Sequence, residues 1–311
     1  MMQVGDYCRP ASVTEAAELC ARDGAVPFAG GTDLMVKARG HSRFQDKTFV
    51  DLGGMPELSF LREEDEMISV GAAVTLTQLL CSPIITEGVP LLRQAASRVA
   101  NRQVRNRATL VGNVANACPA SDCIPALMVL GASVLVTGAE GEREIPLEAL
   151  FRSCEACLRH EGMQVRTCFY PETAARKLTL RPGELITSVQ IPKQDPEQRS
   201  VFEKLTENQS AGMAVLNFAM TGSLGADGTV AAFRVCPGGV FPKPRCFPER
   251  EIPLLGKRPD PALFQAVIQE ISDSLASEKD TLADYAYKSR VLPKILRDGM
   301  AQLFLETPML G

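Results

Sequence analysis

Two adjacent glycines lie at a strand-to-helix junction near the start of the chain. In residues 26–39, VPFAGGTDLMVKAR, an apolar run ends at Gly30 and Gly31, and an amphipathic segment follows Thr32 and Asp33. Glycine lets the backbone approach another group closely, and successive N–H groups ahead of a helix form an anion site. Thr32 adds a hydroxyl donor, and Asp33 is predicted to cap the helix. The pattern alone fits a tight turn as well as it fits a phosphate site.

Two common phosphate-binding motifs are missing from the sequence. It contains neither G-x-G-x-x-G nor G-x-x-x-x-G-K-[ST], so a Rossmann dinucleotide site and a P-loop are both unsupported. Only two histidines, His41 and His160, are present. A chemistry built on several histidines is therefore excluded.

A second glycine-containing segment, residues 105–125, reads RNRATLVGNVANACPASDCIP. Its hydrogen-bonding side chains alternate with small apolar ones, which indicates partial burial and hence partners for the polar groups. These side chains are Thr109, Asn113, Asn116, Ser121 and Asp122. Such a run suits a segment wrapped along a polyhydroxylated ligand, where Asp122 could hold a ribityl or ribose hydroxyl.

The elements around these segments follow a simple order. Helix and strand patterns alternate up to residue 54, which predicts a small α/β unit. A helix is predicted from Pro90 to about Gln103, with a hairpin turning at residues 140–141 and a strand at 184–192. Three consecutive strand patterns and two helical patterns end the chain, which predicts an α+β C-terminal domain.

Four arginines lie along the predicted helix that begins at Pro90 and just after it. They are Arg93, Arg98, Arg102 and Arg105. The simplest interpretation is a solvated face, and the alternative is a docking surface for an acidic partner.

Composition excludes several classes of protein. The chain has 311 residues, 45% of them hydrophobic and 23% charged, and a net charge of −4, which predicts two or three soluble subdomains and neither nucleic acid nor membrane as a partner. Its N-terminal sequence has early acidic residues and no long apolar core, so no signal peptide is expected. We therefore expect a cytoplasmic protein, in which ten cysteines are free thiols or ligands.

The two glycine segments, taken together, resemble those of a known family. AGGTDL, followed by TLVGNVANACPASDCIPALMVLGA, is similar to the FAD-binding (medium) subunit of the molybdenum hydroxylases, of the xanthine dehydrogenase and carbon monoxide dehydrogenase type. The resemblance continues through RPGELITSVQIP, FEKL, RVCPGGVFPKPR and YKSRVLPKIL. It therefore covers nearly the whole chain.

The resemblance implies an α+β fold. A two-subdomain FAD-binding fold of the vanillyl-alcohol-oxidase type, with a small α/β unit and a mixed sheet with helices, would occupy residues 1–195. Its subdomains would be about 1–58 and 59–195. A C-terminal α+β flavoprotein domain with a three-stranded antiparallel sheet and helices would occupy residues 196–311.

The resemblance also implies which residues bind FAD. Backbone N–H groups of the first loop would hold the pyrophosphate, and the second segment would hold the ribityl and diphosphate portions. The implied cofactor-binding residues are Ala29, Gly30, Gly31, Thr32, Asp33, Leu34, Thr109, Gly112, Asn113, Asn116, Ser121, Asp122, Ile186 and Lys204. Ile186 would pack on the adenine or ring region and Lys204 would lie near the flavin; a plain core isoleucine and a solvated lysine are the alternatives.

Function follows from the same resemblance. In the family, a molybdenum-cofactor subunit oxidises the substrate and a [2Fe–2S] subunit passes electrons to FAD, which reduces NAD⁺ or another acceptor. This chain would be the flavoprotein subunit of such a complex, without catalytic acid–base residues of its own, because the cofactor carries the chemistry. A stand-alone flavin oxidoreductase and a scaffold subunit that has lost FAD remain alternatives. The substrate and the acceptor, whether NAD⁺, ferredoxin or a quinone, are left open.

The sequence departs from the family in an insertion at about residues 152–175. It holds Cys154, Cys157 and Cys168, a spacing typical of ligands for an iron–sulfur cluster or zinc. The fourth ligand would be His160, Cys118 or Cys123. A [4Fe–4S] cluster is favoured over zinc, and free or redox-active thiols in a surface loop are the alternative.

Overall fold

The computed structural model describes residues 5–40, 44–152, 178–206, 212–241, 243–247, 253–277 and 285–305. Its contacts divide the described residues into two compact units. The first unit comprises residues up to 118, 131–152 and 178–193, and the second comprises 119–130 and the residues from 194 onward. Residues 119–130, in the middle of the predicted FAD-binding region, thus belong to the second unit.

The first unit begins with a small parallel sheet. Its elements are β1 (Asp6–Cys8), α1 (Val13–Cys20), β2 (Ala25–Phe28), α2 (Leu34–Gly40) and β3 (Thr48–Asp51). The strand order is β1-β3-β2, with β3 parallel to both neighbours. Ser12 caps α1, because its hydroxyl accepts a hydrogen bond from the N–H of Glu15 at 3.1 Å. The predicted α/β unit is confirmed.

A larger antiparallel sheet completes the first unit. Its strands are β4 (Leu61–Glu64), β5 (Met67–Gly71), β6 (Ser133–Gly138), β7 (Gly141–Pro146) and β8 (Leu185–Pro192), in the order β4-β5-β8-β6-β7. The helices between and after these strands are α3 (Leu76–Cys81), α4 (Pro83–Gly88), α5 (Pro90–Ser97), α6 (Arg102–Arg105), α7 (Leu110–Ala115) and α9 (Leu147–Leu150). The β6–β7 hairpin turns at residues 139–140, one residue before the predicted turn at 140–141.

The second unit contains an antiparallel sheet covered by helices. Its elements are α8 (Cys123–Val129), β9 (Arg199–Thr206), β10 (Ala214–Leu224), β11 (Val230–Gly238), α10 (Pro261–Ala276) and α11 (Tyr285–Phe304). The strand order is β11-β10-β9. Apolar residues of the sheet, such as Phe218 and Phe233, form one core with Ile268 of α10 and Leu296 of α11. The predicted three-stranded sheet with helices is confirmed.

The prediction of one continuous helix from Pro90 to about Gln103 is wrong. The structure divides it into α5 and α6, because Ala100 adopts a left-handed conformation with φ of 42°. Asn101 then starts α6, and its side chain accepts a hydrogen bond from the N–H of Val104 at 2.9 Å. Asparagine is favoured at such a cap and competes with a continuous helix.

Arg105 is not part of a solvated arginine stripe. Its Nη1 atom donates to the carbonyl oxygens of Val99 at 2.8 Å and Ala100 at 3.1 Å. This guanidinium therefore satisfies two carbonyls of the short connection between α5 and α6.

Within the ranges given above, no helix combines the length and the apolar character needed to cross a bilayer.

Replacing Arg105 with methionine is expected to destabilise the first unit by about 1–3 kcal/mol, since two charge-assisted hydrogen bonds to partly buried carbonyls are lost. Urea unfolding followed by circular dichroism measures the change. Arg93→Met is the matched control on exposed α5 surface and should cost no more than about 0.5 kcal/mol. Equal losses in the two variants would contradict the assigned role of Arg105.

Candidate functional site

The first glycine loop lies at the carboxyl end of the parallel sheet. Strand β2 ends at Phe28, and α2 starts at Leu34. Gly31 has φ of +69°, a conformation that favours glycine. Among the described residues, no acceptor receives a hydrogen bond from the backbone N–H groups of Gly30, Gly31 and Thr32. The loop therefore presents three consecutive donors, the arrangement that binds anions in backbone nests.

The second glycine segment touches the first loop through its backbone. A Cβ atom on Gly30 would lie 2.1 Å from the carbonyl oxygen of Arg107 and 2.9 Å from the Cα of Ala108. Thr109 follows directly and caps α7, since its hydroxyl accepts from the N–H of Gly112 at 3.0 Å. The contact at Gly30 therefore fixes where α7 begins.

A cavity of about 530 Å³ opens beside this contact in the first unit. Ala29, Gly30 and Thr109 of the predicted FAD-binding residues line it. Arg9 and Arg107, which the sequence analysis did not identify, also line the cavity. Glycines and arginines in the lining suit a ligand that carries negative charge, and Arg9 lies 3.5 Å from the Asp51 carboxylate in the same lining.

The remaining cavity residues come from the ends of the other two parallel strands. Arg9 follows β1, and Asp51, Gly53 and Gly54 end or follow β3. Asp51 is held in place because its Oδ1 accepts from the N–H of Gly53 at 2.9 Å and its Oδ2 accepts from the hydroxyl of Tyr7. Ligands of open α/β sheets bind outside the carboxyl ends of strands, and this rule, applied to the strand predicted to end by residue 54, could have identified Asp51, Gly53 and Gly54.

Asp33 does not use its carboxylate as the sequence predicted. Its Oδ2 lies 2.5 Å from Nζ of Lys37, one turn along α2. The same Nζ lies 3.2 Å from Oδ1 of Asn116, the residue that ends α7. Lys37, another residue that sequence reasoning missed, thus joins two residues of the predicted FAD-binding set.

In the second unit, Asp122 and Lys204 form a buried ion pair. Nζ of Lys204 is 2.6 Å from Oδ2 of Asp122, and the two side chains are 3% and 7% exposed. The side-chain amide of Asn217 donates to Oδ1 of Asp122 at 2.9 Å and to the carbonyl of Ser121 at 3.1 Å. The expectation that Lys204 is a solvated lysine is therefore excluded by its burial.

Burial raises the pKa of the Cys123 thiol well above its usual range, and the neighbouring Asp122 carboxylate raises it further. The thiol of Cys123 is therefore unreactive in these surroundings, and its role as a fourth ligand for the insertion cysteines stays a prediction.

The other predicted residues occupy varied surroundings. Ile186 is buried in β8, where it is paired with Val136 of β6. Leu34 packs against a small core that includes Phe44 and Phe49. Asn113 is partly exposed on α7.

The predicted metal ligands Cys154, Cys157 and Cys168, together with His160, lie outside the described residues. Within the described residues, no three histidine, cysteine or acidic side chains are grouped so that they could hold a metal ion. The cysteines described are free thiols. The iron–sulfur cluster stays a prediction.

Two family models match the chain. The model for the FAD binding domain in molybdopterin dehydrogenase matches residues 2–194. The model for the CO dehydrogenase flavoprotein C-terminal domain matches residues 201–303. Together they account for most of the chain.

Two individual proteins are similar to this chain in sequence, and one solved structure shares its fold. The chain is 27% identical over 306 residues to the nicotinate dehydrogenase FAD-subunit of Eubacterium barkeri, covering 96% of this chain and 97% of that protein. It is 34% identical over 192 residues to the carbon monoxide dehydrogenase medium chain of Hydrogenophaga pseudoflava, covering 59% of this chain and 66% of that one. A solved carbon monoxide dehydrogenase from Hydrogenophaga pseudoflava superimposes with a TM-score of 0.82 at 24% identity, covering 98% of this chain and 99% of that one.

Gly30→Ala is expected to destabilise the first unit by about 1–3 kcal/mol, because the new methyl group would overlap the backbone at Arg107. Thermal or urea unfolding measures this loss. Gly54→Ala is the matched control on the wall of the same cavity, since a Cβ there meets nothing within 4 Å. The steric account fails if Gly30→Ala unfolds at the same urea concentration as Gly54→Ala.

Breaking the Asp122–Lys204 pair from either side is expected to cost about 3–5 kcal/mol, because the remaining charge loses its buried counter-ion. The variants are Asp122→Asn, Lys204→Met and the double substitution, compared by urea unfolding. The double variant should lose less than the sum of the single losses. Arg181→Met, which breaks an exposed ion pair with Glu140, is the control and should cost at most about 1 kcal/mol. If the loss of stability in the double variant equals the sum of the two single losses, Asp122 and Lys204 are not coupled.

Proposed function

Since this chain belongs to the family of FAD-binding domains of molybdopterin dehydrogenases, we propose that it is the electron-transfer flavoprotein subunit of a molybdenum-hydroxylase-type complex. In this proposal, a partner subunit with [2Fe–2S] clusters supplies the electrons, and NAD⁺ or another acceptor receives them. FAD, when bound, supplies the redox chemistry that connects the two. The observation that carries the proposal is the row of three loop N–H donors beside the cavity of the first unit.

The donor set of the first unit fits the pyrophosphate of FAD. The loop offers the N–H groups of Gly30, Gly31 and Thr32, and Arg9 and Arg107 are among the residues that line the cavity. Backbone donors bind phosphate oxygens without a side chain between them, and arginine matches phosphate geometry with paired donors. These residues would bind and orient the diphosphate and neutralise part of its charge.

The remaining residues of the predicted set are part of the proposal. Thr109 and Gly112 would position α7 beside the cofactor, with Asn113 on its partly exposed side. Ser121 and Asp122 would contact the ribityl chain, and Ile186 the adenine or ring region. For Asp122→Ala we expect weaker FAD retention, in addition to the loss of the ion pair with Lys204.

The proposed partners are a molybdenum-cofactor subunit and a [2Fe–2S] subunit. Support comes from the relatives, whose names describe an FAD-subunit and a medium chain of dehydrogenases. A cytoplasmic location and the domain division at residues 1–195 and 196–311 belong to the same proposal. The matches of the two family models, to residues 2–194 and 201–303, support that division.

We expect the purified chain to contain stoichiometric, non-covalent FAD. Denaturation followed by filtration should release a flavin with the absorbance of FAD, because residues 29–34 contain no histidine or cysteine for a covalent link. Absence of flavin from both the filtrate and the protein would reject the proposal.

The same sample tests the acceptor. Anaerobic addition of NADH should bleach the flavin absorbance if NAD⁺ is the acceptor, since the transfer is reversible. Dithionite serves as the control for a flavin that can be reduced. Bleaching by dithionite alone would exclude NAD⁺ and leave the FAD-binding role intact.

A further inference from the structure

Lys37 connects the two glycine segments of the first unit at a point remote from their backbone contact. Its side chain is only 10% exposed, although it carries a charge. The Nζ atom lies 2.5 Å from Oδ2 of Asp33 in the first loop and 3.2 Å from Oδ1 of Asn116 in the second segment. An ammonium group has three donors and no acceptor, so two oxygens from separate segments suit it.

The second segment is thereby attached to the first loop at both ends of α7. At the start of α7, the backbone of residues 107–108 lies against Gly30. At its end, Asn116 accepts the hydrogen bond from Lys37. Helix α7 packs against β5 and β8 with Leu110 and Val114 buried, and the two attachments fix the position of its ends relative to the first loop.

We propose that Lys37 is a positioning residue for FAD, which sets the spacing and direction of the two segments that bind the cofactor. This role rests on the proposed FAD-binding function. Lys37 does not line the cavity described above, whereas Arg9 and Arg107 do, so its effect passes through Asp33 and Asn116. The gain comes from preorganisation, because segments already held in the binding geometry lose less freedom when the ligand arrives.

The test is FAD affinity of the full-length chain, stripped of flavin and titrated with FAD while flavin fluorescence is recorded. Lys37→Met should raise the Kd about tenfold, the loss expected from one hydrogen bond to a charged group. Lys37→Arg should restore most of the affinity, because a guanidinium can still donate to both oxygens. A lysine that served only as apolar packing would be replaced better by methionine than by arginine.

Asn116→Ala removes the acceptor of the same hydrogen bond and is a milder change than Lys37→Met. It should raise the Kd for FAD by a similar factor. The double variant Lys37→Met/Asn116→Ala should bind FAD no more weakly than the single variant with the higher Kd. If Lys37→Met does not fold, as circular dichroism would show, Asn116→Ala alone decides. Lys193→Met is the matched control, since it breaks a lysine–carboxylate pair with Glu63 in the same unit and should leave the Kd unchanged.

The outcomes separate this role from the proposed function. Wild-type chain that binds FAD, together with an unchanged Kd for Lys37→Met or Asn116→Ala, would overturn the role of Lys37 alone. Additive effects in the double variant would also overturn it, because the two residues would then act independently. A wild-type chain without affinity for FAD would overturn both the proposed function and this role.

Discussion

The close approach of Gly30 to the backbone at Arg107 is the constraint on which the candidate site depends. A distance of 2.1 Å from a hypothetical Cβ to a carbonyl oxygen leaves no room for any side chain. Because the contact joins backbone to backbone, neither segment can adapt through a rotamer change. The three loop donors, the start of α7 and the cavity wall are all positioned by it. The main chain, more than the side chains, therefore determines the geometry of the site.

Polar side chains of the second unit serve a comparable structural purpose. Lys288 is 2% exposed on α11 and donates to the carbonyl of Gly239 at 2.7 Å. The N–H of Gly239 donates to the carbonyl of Pro119 at 2.7 Å, just ahead of the Asp122 pair with Lys204. Buried charges are costly unless each has partners, so these lysines hold residues 119–122 in one conformation.

The sequence predicted the elements that depend on local signals. The parallel unit, the β6–β7 hairpin and the three-stranded sheet follow from alternating apolar residues and turn residues, and the paired motifs led to the family. The break between α5 and α6 escaped prediction because the apolar period runs across Ala100, while a single asparagine cap at Asn101 decides the outcome. Hydrophobic periodicity reports which face is buried, not where a helix restarts.

The cavity arginines and the Lys37 link escaped prediction for a different reason. The contacts of Arg9 with Asp51 and of Lys37 with Asn116 join residues far apart in sequence, and no local pattern marks such partners. Asp33 was predicted to cap the helix because aspartate is favoured there, and its carboxylate pairs with Lys37 one turn along α2. That spacing of an acid and a lysine is visible in the sequence, whereas the contact from Lys37 to Asn116 is not.

These assignments restrict how the first unit can recognise a ligand. The hydroxyl of Thr109, the carboxylate of Asp33 and the amide of Asn116 are each already bonded to a protein partner. The cavity is lined by backbone N–H groups, by two arginines and by Asp51, whose carboxylate already has partners in Tyr7, Gly53 and Arg9. An anion bound there would be held by the backbone donors and the arginines, so its affinity would depend on the spacing of the two segments. That is why a residue such as Lys37, which sets this spacing without entering the cavity, can influence the cofactor as much as a residue that touches it.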